Sequence, residues 1–279
     1  MIILDGKAHA KAIIENISVN LKKNKHAKPC LTQISIGSPP EAISYIKHVE
    51  KKCHLIGFES NHIILPDSSD NEKVIELINS LNHDQNVHGI ILHMPIPAHL
   101  DHQKIAMHIN PLKDIDGTHP FNMGLLCLGK PSLIPATPLA IMKILNAYQI
   151  PLKGKNAVVI GRSNIVGKPI SLMLLSKDCT VTIMHSKTIN IEKEASRADI
   201  LIAAIGKPEY ITPSYVKKDA VVIDVGINYK NNKLVGDVDF DNVAPISSHI
   251  TPVPGGIGSM TTAVLLENLL TAFVKQQCP

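Results

Sequence analysis

The stretch VVIGRSNIVGKP at residues 158–169 decides the fold of the second half of the chain. Apolar residues that favour a strand lead into Gly161, and a helix start follows. A helix that begins after such a turn directs free backbone amides at an anion, as in dinucleotide-binding proteins. The pattern departs from G-x-G-x-x-G, because Ser163 replaces the second glycine and one extra residue precedes Gly167. Taken alone, the stretch also fits a plain strand-to-helix turn.

Apolar runs on both sides of this loop indicate an α/β fold. Strands are predicted at 157–160, 181–184, 200–205 and 220–225, with helices between them and a long helix from about 261 to 275. Continuous apolar strands are typical of parallel sheets that are covered on both faces. The loop therefore follows the first strand of a doubly wound, Rossmann-like half, which favours dinucleotide binding.

The first half of the chain shows the same alternation. Helices are predicted at 6–23, at 41–56 and from a capping box at 69–72 to residue 81, and strands at 30–36, 61–65 and 87–92. This order predicts a largely parallel sheet. The stretch 111–138 is rich in Pro and Gly, and Thr137 is predicted to cap the next helix. We therefore expect two domains, at 1–118 and 119–279.

Composition excludes several classes of protein. Aromatic residues make up 3% of the 279 residues and Trp is absent, which argues against a single-stranded nucleic-acid binder. No apolar run approaches the roughly 18 residues of a membrane helix. The five cysteines (Cys30, Cys53, Cys127, Cys179 and Cys278) form no C-x-x-C pair and indicate free thiols in a reducing compartment. We expect a cytoplasmic protein.

The segment after the next predicted strand favours one dinucleotide over the other. NAD-binding folds usually place an acid there for the ribose hydroxyls, but residues 185–188 read His-Ser-Lys-Thr. With Arg162 in the loop and Lys187 nearby, the site suits a 2′-phosphate. The sequence therefore predicts NADP, unless Lys187 is merely exposed.

Five motifs occur in the order in which a known family has them. They are ILDGK (3–7), PLKDIDG (111–117), GRSNIVGKP (161–169), GDV (236–238) and TPVPGGIG (251–258). On these motifs the chain resembles, over essentially its whole length, the bifunctional methylenetetrahydrofolate dehydrogenase/methenyltetrahydrofolate cyclohydrolase family. The resemblance implies an N-terminal α/β catalytic domain, a C-terminal Rossmann-like NADP-binding domain, an active-site cleft between them, and a homodimer formed through the second domain.

The resemblance also implies the reaction and the site residues. NADP would oxidise 5,10-methylenetetrahydrofolate to the methenyl form, and hydrolysis would give 10-formyltetrahydrofolate. Tyr45 matches a residue that lines the folate site, and Asp116 matches the residue that holds the pterin. The loop residues matched beside the substrate are Pro254, Gly255 and Gly256. The matched cofactor-contact residues are Gly161, Arg162, Ser163, Ser186 and Ile227.

These roles fit the chemistry of the residues, although simpler interpretations exist. A carboxylate such as Asp116 can accept two hydrogen bonds from the amide–amidine edge of a pterin. Asp116 also fits a turn closed with Gly117. Likewise Gly255 and Gly256 permit close approach to a ligand, or form only a tight turn.

Two departures from the family pattern concern the catalytic residues. The family helix carries Tyr-x-x-x-Lys, which places an amine one turn after the tyrosine, whereas this chain has Val49 there. His93 replaces the glutamine that normally hydrogen-bonds that lysine. Lesser departures are Ala136, Ala140 and Ser259.

The two reactions should suffer unequally from the missing amine. Nitrogen lone pairs drive hydride loss, so the protein mainly has to position the reacting carbon. Hydrolysis needs proton transfers, to which general acid–base groups contribute about 10²–10⁴-fold and valine contributes nothing. We therefore expect dehydrogenase activity to survive and cyclohydrolase activity to be weak or absent.

Alternative interpretations remain open at this point. His93 titrates near neutrality and is a possible substitute base, and His48 and Lys52 lie roughly on the helix face of Tyr45. Another NADP-dependent two-domain dehydrogenase, of the shikimate type, would need a different catalytic Lys/Asp pair, which we do not find. A folate-binding paralogue without activity would not need the nearly intact cofactor loop.

Overall fold

A computed structural model describes residues 1–21 and 28–277 of the chain, which divides into two compact units. We name each unit after its largest sheet. The six-stranded unit comprises Met1–Ala12 and Pro135–Val264, and the three-stranded unit comprises Ile13–Ile134 and Leu265–Pro279. Parallel sheets and helices alternate in both units, so the predicted α/β class is confirmed.

The elements are numbered in chain order. The strands are β1 (Ile2–Ile3), β2 (Cys30–Ile36), β3 (Glu59–Leu65), β4 (Gly89–Leu92), β5 (Asn156–Ile160), β6 (Thr180–Met184), β7 (Ile200–Ala203), β8 (Val221–Asp224), β9 (Asn228–Lys230), β10 (Lys233–Val235) and β11 (His249–Ile250). The α-helices are α1 (Gly6–Leu21), α2 (Pro40–Ile56), α3 (Asn71–His83), α4 (His102–Ala106), α5 (Pro120–Cys127), α6 (Ala136–Ala147), α7 (Gly167–Leu175), α8 (Ile191–Ala195), α9 (Phe240–Val243) and α10 (Ile257–Gln277). Short 3₁₀ turns occupy Pro213–Tyr215 and Ala244–Ile246.

The three-stranded unit is a parallel sheet in the order β3-β2-β4. Strand β2 is central and is buried along its whole length, including its polar residues Thr32, Gln33 and Ser35. Helix α3 places Val74, Ile78 and Leu81 at helical spacing, and all three are buried in the core with Ile34 and Ile90. Helix α3 therefore packs its apolar face on this sheet.

The six-stranded unit is an all-parallel sheet in the order β1-β11-β8-β7-β5-β6. Buried β-branched side chains dominate its central strands, as in Val159, Ile202 and Val222. The order reverses at β5, because β6 pairs on one side of β5 and β7 on the other. Ligands of doubly wound folds bind at such a reversal, at the carboxyl ends of the strands.

Both ends of the chain depart from a simple split at residue 118. Ile2 pairs with His249, so the first residues extend the sheet of the six-stranded unit. The last helix contributes to the three-stranded unit, where the Phe273 ring lies 4.8 Å from the His88 ring and Asn268 donates to the carbonyl of Ile115. The first residues therefore pack with the second half of the chain, and the residues from Leu265 onward pack with the first half.

Two helix starts also differ from prediction. Asp70, and not Ser69, caps α3, because its carboxylate accepts a hydrogen bond from the Lys73 amide at 2.8 Å. Helix α6 begins at Ala136 after Pro135, so Thr137 lies inside the helix. The end of the predicted helix 6–23, beyond Leu21, and Cys278 lie outside the described residues.

Helix α10 is long and apolar enough to cross a membrane by length and composition alone, with a mean hydropathy of 1.4 over its most apolar window. Of that window, 61% is buried in the protein. Such burial is typical of the core helix of a folded domain.

Candidate active site

Tyr45, His93 and Asp116 line one pocket of about 310 Å³ in the three-stranded unit, which we call the Tyr45 pocket. Tyr45 comes from α2, and His93 directly follows β4. The loop that carries Asp116 lies beside β4, because the Ile90 amide donates to the Lys113 carbonyl at 2.8 Å. The structure therefore brings together three residues that are far apart in the sequence.

Helix α2 presents Tyr45 to the pocket but buries the residue one turn later. Tyr45 is 39% exposed, whereas Val49 is 0% exposed and belongs to the core. Lys52 is half-buried and burial lowers the pKa of its amine. Burial, followed by the charges of Lys52 and Lys51, also lowers the pKa of His48. Neither His48 nor Lys52 is among the described residues that line the Tyr45 pocket.

His93 is held by a residue that the sequence analysis missed. Its Nε2 atom lies 3.0 Å from the Gln33 side-chain oxygen, and the Gln33 amide nitrogen donates to Ser60 Oγ at 3.2 Å. With the amide oxygen of Gln33 facing the ring, Nε2 carries the proton. A glutamine inside the buried run of β2 was the available signal, since buried polar groups need partners.

The environment of His93 makes it a weak base. Its imidazole is 6% exposed, and its ring centroid lies 5.8 Å from that of Tyr45 in an edge arrangement. Burial, and then the charge of His62, lowers the pKa of His93 to about 4. The ring is therefore neutral at physiological pH.

Buried polar groups fix the loop that carries Asp116. The Lys113 amine donates to the carbonyls of Leu81, Asn82 and Asp84 at 2.8–2.9 Å. Each carbonyl lies at or near the end of α3, so the lysine ties the loop to the helix.

Asp114, two residues before Asp116, is a second carboxylate, and its hydrogen bonds hold the loop. Asp114 accepts hydrogen bonds from the His119 amide at 2.8 Å and the Asn122 side chain at 2.9 Å. Burial, and then the charge of Asp114, raises the pKa of Asp116 to about 7. Asp116 thus titrates near neutrality at the wall of the pocket.

A second pocket, also of about 310 Å³, lies at the carboxyl ends of β5, β6 and β7, where the strand order reverses. We call it the Gly161 pocket. The described residues that line it are Ile160, Gly161, Arg162, Ser163, His185, Ser186, Ile191, Ala204, Ile205, Lys207 and Tyr210. Four predicted cofactor residues therefore share one pocket: Gly161, Arg162, Ser163 and Ser186.

The turn after β5 requires its two glycines. Gly161 has a φ of 136°, and a Cβ atom on it would lie 2.3 Å from the Ala204 carbonyl oxygen. A Cβ atom on Gly167 would lie 2.1 Å from the Gly161 carbonyl oxygen. Both glycines are therefore needed for close packing of the protein's own backbone at this turn.

The start of α7 differs from the expected anion site. Ser163 Oγ accepts hydrogen bonds from the amides of Val166 and Gly167 at 3.1 and 3.3 Å, and the Ser163 carbonyl accepts from the Lys168 amide. The prediction that these amides are free is wrong, because the serine satisfies them. A phosphate in this pocket therefore depends more on Arg162 and on Lys207, which sequence reasoning missed.

Four predicted ligand residues are not among the described residues that line either pocket. Ile227 is 62% exposed, in the segment between β8 and β9. Pro254, Gly255 and Gly256 precede α10 in the six-stranded unit. A Cβ atom on Gly6 would lie 2.0 Å from the Gly256 carbonyl oxygen, so the ILDGK motif packs against this loop.

Comparison with family models gives two matches that together cover most of the chain. Residues 4–116 match the catalytic domain of tetrahydrofolate dehydrogenase/cyclohydrolase. Residues 135–277 match the NAD(P)-binding domain of the same family. The order of the two domains is the one inferred from the motifs.

Individual relatives match over nearly their full length. The bifunctional protein FolD of Streptococcus pneumoniae serotype 4 is 45% identical over 277 residues, which cover 98% of this chain and 97% of the relative. The crystal structure of bifunctional FolD from Campylobacter jejuni superposes with a TM-score of 0.96 at 43% identity and covers 99% of both chains. A Trypanosoma brucei FolD structure, complexed with NADP cofactor and inhibitor, gives a TM-score of 0.94 at 33% identity and covers 100% of this chain and 99% of its own.

Proposed function

Because the chain belongs to the tetrahydrofolate dehydrogenase/cyclohydrolase family, we propose that it oxidises 5,10-methylenetetrahydrofolate with NADP and hydrolyses the methenyl product slowly or not at all. One observation carries the second part of this proposal. Val49, 0% exposed, lies one turn after Tyr45, where the family resemblance places a catalytic lysine.

The Gly161 pocket suits a phosphorylated dinucleotide. Gly161 keeps the turn packed closely against Ala204, and Arg162 and Lys207 supply cations to the pocket. None of the described residues that line this pocket is Asp or Glu, so no acid is placed there for a ribose hydroxyl pair. These features favour NADP over NAD, and NADP supplies the hydride acceptor. A lower KM for NAD than for NADP would refute this preference.

The Tyr45 pocket suits the pterin end of the substrate. Asp116, as a carboxylate, accepts two hydrogen bonds from the donor edge of a pterin. Tyr45 offers a ring and a hydroxyl at the pocket wall. Pro254, Gly255, Gly256 and Ile227 stay proposed ligand contacts on the family resemblance alone.

Dehydrogenation needs little from the missing amine. The substrate nitrogens stabilise the cation that forms when hydride leaves, so the protein acts mainly by orientation and by exclusion of water. Hydrolysis of the methenyl cation requires a base for water and an acid for a ring nitrogen. Val49 offers neither, and no lysine is among the described residues that line the pocket.

His93 does not replace the lysine in this proposal. A pKa of about 4, against the ordinary 6.5, lowers the proton affinity of the imidazole by roughly 300-fold. Its Nε2–H group is also committed to Gln33. We therefore assign His93 a packing and hydrogen-bonding role beside Tyr45.

The test follows the two half-reactions separately in the wild-type protein. Methylenetetrahydrofolate and NADP should give NADPH and methenyltetrahydrofolate in equal amounts, and the methenyl form should then disappear at the rate seen in buffer. No NADPH at all would indicate a folate-binding protein without activity. Formation of 10-formyl product as fast as NADPH would refute the proposed loss of hydrolysis.

For assembly, the proposal includes a homodimer formed through the six-stranded unit. Its edge strand β6 presents unpaired backbone groups, and Ile183 on that strand is 42% exposed. Light scattering should give a dimer mass that Ile183→Lys reduces to that of a monomer. Ile189→Lys, at an 81% exposed residue outside the strand, is the control. A monomeric wild-type protein would refute this part.

For location, the proposal places the protein in the cytoplasm. Cys30, Cys53, Cys127 and Cys179 are free thiols, as expected in a reducing compartment. Burial raises the pKa of Cys53 to about 12, so this thiol stays protonated and unreactive.

A further inference from the structure

The GDV motif at 236–238 contains a carboxylate with an unusual set of partners. Asp237 is 0% exposed and accepts hydrogen bonds from three consecutive amides, those of Ile205, Gly206 and Lys207, at 2.6, 3.0 and 2.9 Å. The Asn228 side chain donates a fourth at 2.9 Å. Successive amides that converge in this way form an anion-binding nest. Here the anion belongs to the protein.

A second buried carboxylate holds Asp237 in place. Asp224, at the end of β8, accepts from the amides of Gly226, Asp237 and Val238, each at 2.9 Å. The fit is tight, because a Cβ atom on Gly236 would lie 1.8 Å from an Asp224 oxygen and one on Gly226 would lie 2.3 Å from an Asp237 oxygen. The two acids and two glycines thus form one interlocked unit, which we call the two-carboxylate lock.

The amides held by the lock belong to the wall of the Gly161 pocket. Ile205 and Lys207 both line that pocket, and Ala204 packs directly against Gly161. The Lys207 amine lies 5.1 Å from the centre of the Tyr210 ring, another lining residue. A shift of the amides of residues 205–207 would therefore move the Lys207 amine and the Ile205 side of the pocket together.

We propose that Asp237 is a positioning residue for NADP: it fixes the loop 205–207 so that the Gly161 pocket is formed before the cofactor binds. This inference rests on the proposed use of NADP. We assign Asp237 to the loop and not to cofactor contact, because the four donors above satisfy its two oxygens. Because Asp237 fills the nest, amides 205–207 do not serve a cofactor phosphate, and Arg162 and Lys207 are the cationic side chains that this proposal assigns to it.

The substitution Asp237→Asn keeps the size of the side chain and changes only its hydrogen bonding, so it tests positioning without opening a cavity. An amide has one acceptor oxygen, so two of the four donors would face an NH₂ group instead. Loss of these buried partners should raise the KM for NADP by roughly 10- to 100-fold. The KM for methylenetetrahydrofolate should stay unchanged. Tyr45, His93 and Asp116 belong to the other unit, and the four hydrogen bonds of the Asp237 carboxylate go to the loop 205–207 and Asn228, not to the proposed substrate loop 254–256.

The matched control is Asp199→Asn. Asp199 also accepts from a backbone amide, that of Asn156, and pairs with Lys217, but it precedes β7 at the opposite end of the strand. This variant should leave both KM values unchanged. Equal effects of the two substitutions, or a rise in both KM values with Asp237→Asn, would refute positioning and indicate general destabilisation.

Hydrogen exchange of the cofactor-free protein tests the lock without using NADP. Amides 205–207 should be protected in the wild type and exchange at least about tenfold faster in Asp237→Asn. Unchanged exchange would refute the inference even if the enzyme is active, whereas absent NADP turnover would refute only the proposed function.

If Asp237→Asn does not fold, the double variant Asp237→Asn, Asn228→Asp restores an acceptor opposite the new amide. Recovery of folding without recovery of amide protection would also refute the lock.

Discussion

The titration of Asp116 gives a strong prediction about pH. Burial and the neighbouring Asp114 raise its pKa to about 7, and an acid with a raised pKa loses its charge as the pH falls through that value. About half of the free enzyme carries the carboxylate at pH 7, and roughly a tenth carries it at pH 6. Since pterin donors need an acceptor, kcat/KM for methylenetetrahydrofolate should fall about tenfold per pH unit below 7.

The assay is initial NADPH formation between pH 5.5 and 8.5 at saturating NADP. Saturation matters, because burial also raises the pKa of Asp224 to about 6 and that residue supports the nucleotide side. Asp116→Asn removes charge-assisted hydrogen bonds and should lower kcat/KM by roughly 10- to 100-fold at pH 8. Its profile should be flat between pH 6 and 8.

Exposed Asp101, the N-cap of α4, provides the control. Asp101→Asn should keep the wild-type profile. A flat wild-type profile, or an unchanged slope in Asp116→Asn, would refute the assignment of Asp116 to the pterin.

Three further expectations concern single residues. Gly161→Ala should abolish measurable NADP binding by calorimetry while folate binding persists, because its Cβ would lie 2.3 Å from the Ala204 oxygen at a φ of 136°; unchanged NADP affinity would contradict this. His93 has a pKa lowered to about 4, so the stability from its neutral burial is present above pH 6.5 and is lost as the pH falls toward 4. The free energy of unfolding of the wild type, relative to His93→Gln, should drop by about 2 kcal/mol between pH 7 and 5 in urea titrations, and a constant difference would refute the shift. Lys113→Met should cost at least about 2 kcal/mol in the same titrations, since it leaves three carbonyls without their donor, and exposed Lys104→Met should cost almost nothing.

Much of the fold was predictable because local patterns agree with the final packing. The strands near 157–160, 181–184, 200–205 and 220–225 are all present within a few residues, since buried parallel strands need continuous apolar runs. Strand β1 has two residues and β11 has two, which is too short for any periodic signal. Their pairing arises from tertiary packing and could not be found in the sequence.

The candidate site was predictable where a motif supplies its own contacts. Gly161 and Gly167 lie in one motif, and a Cβ atom on Gly167 would lie 2.1 Å from the Gly161 carbonyl oxygen. Gln33, Lys207 and the partners of Asp237 come from distant segments, and only the folded chain places them at the pockets. The burial of His93 and its effect on the pKa were likewise beyond sequence reasoning, because they depend on what surrounds the ring.

Hydrolysis of methenyltetrahydrofolate, measured in excess over the buffer rate, tests the role of Val49 most directly. The wild type and the variant Val49→Met, His93→Gln should both match buffer, since neither has an amine beside Tyr45. Val49→Lys, His93→Gln should hydrolyse the methenyl form at least about 100-fold faster than buffer does, while NADPH formation changes little. Wild-type hydrolysis as fast as its dehydrogenation, or no gain from the lysine in a folded variant, would contradict the proposal that Val49 separates the two activities.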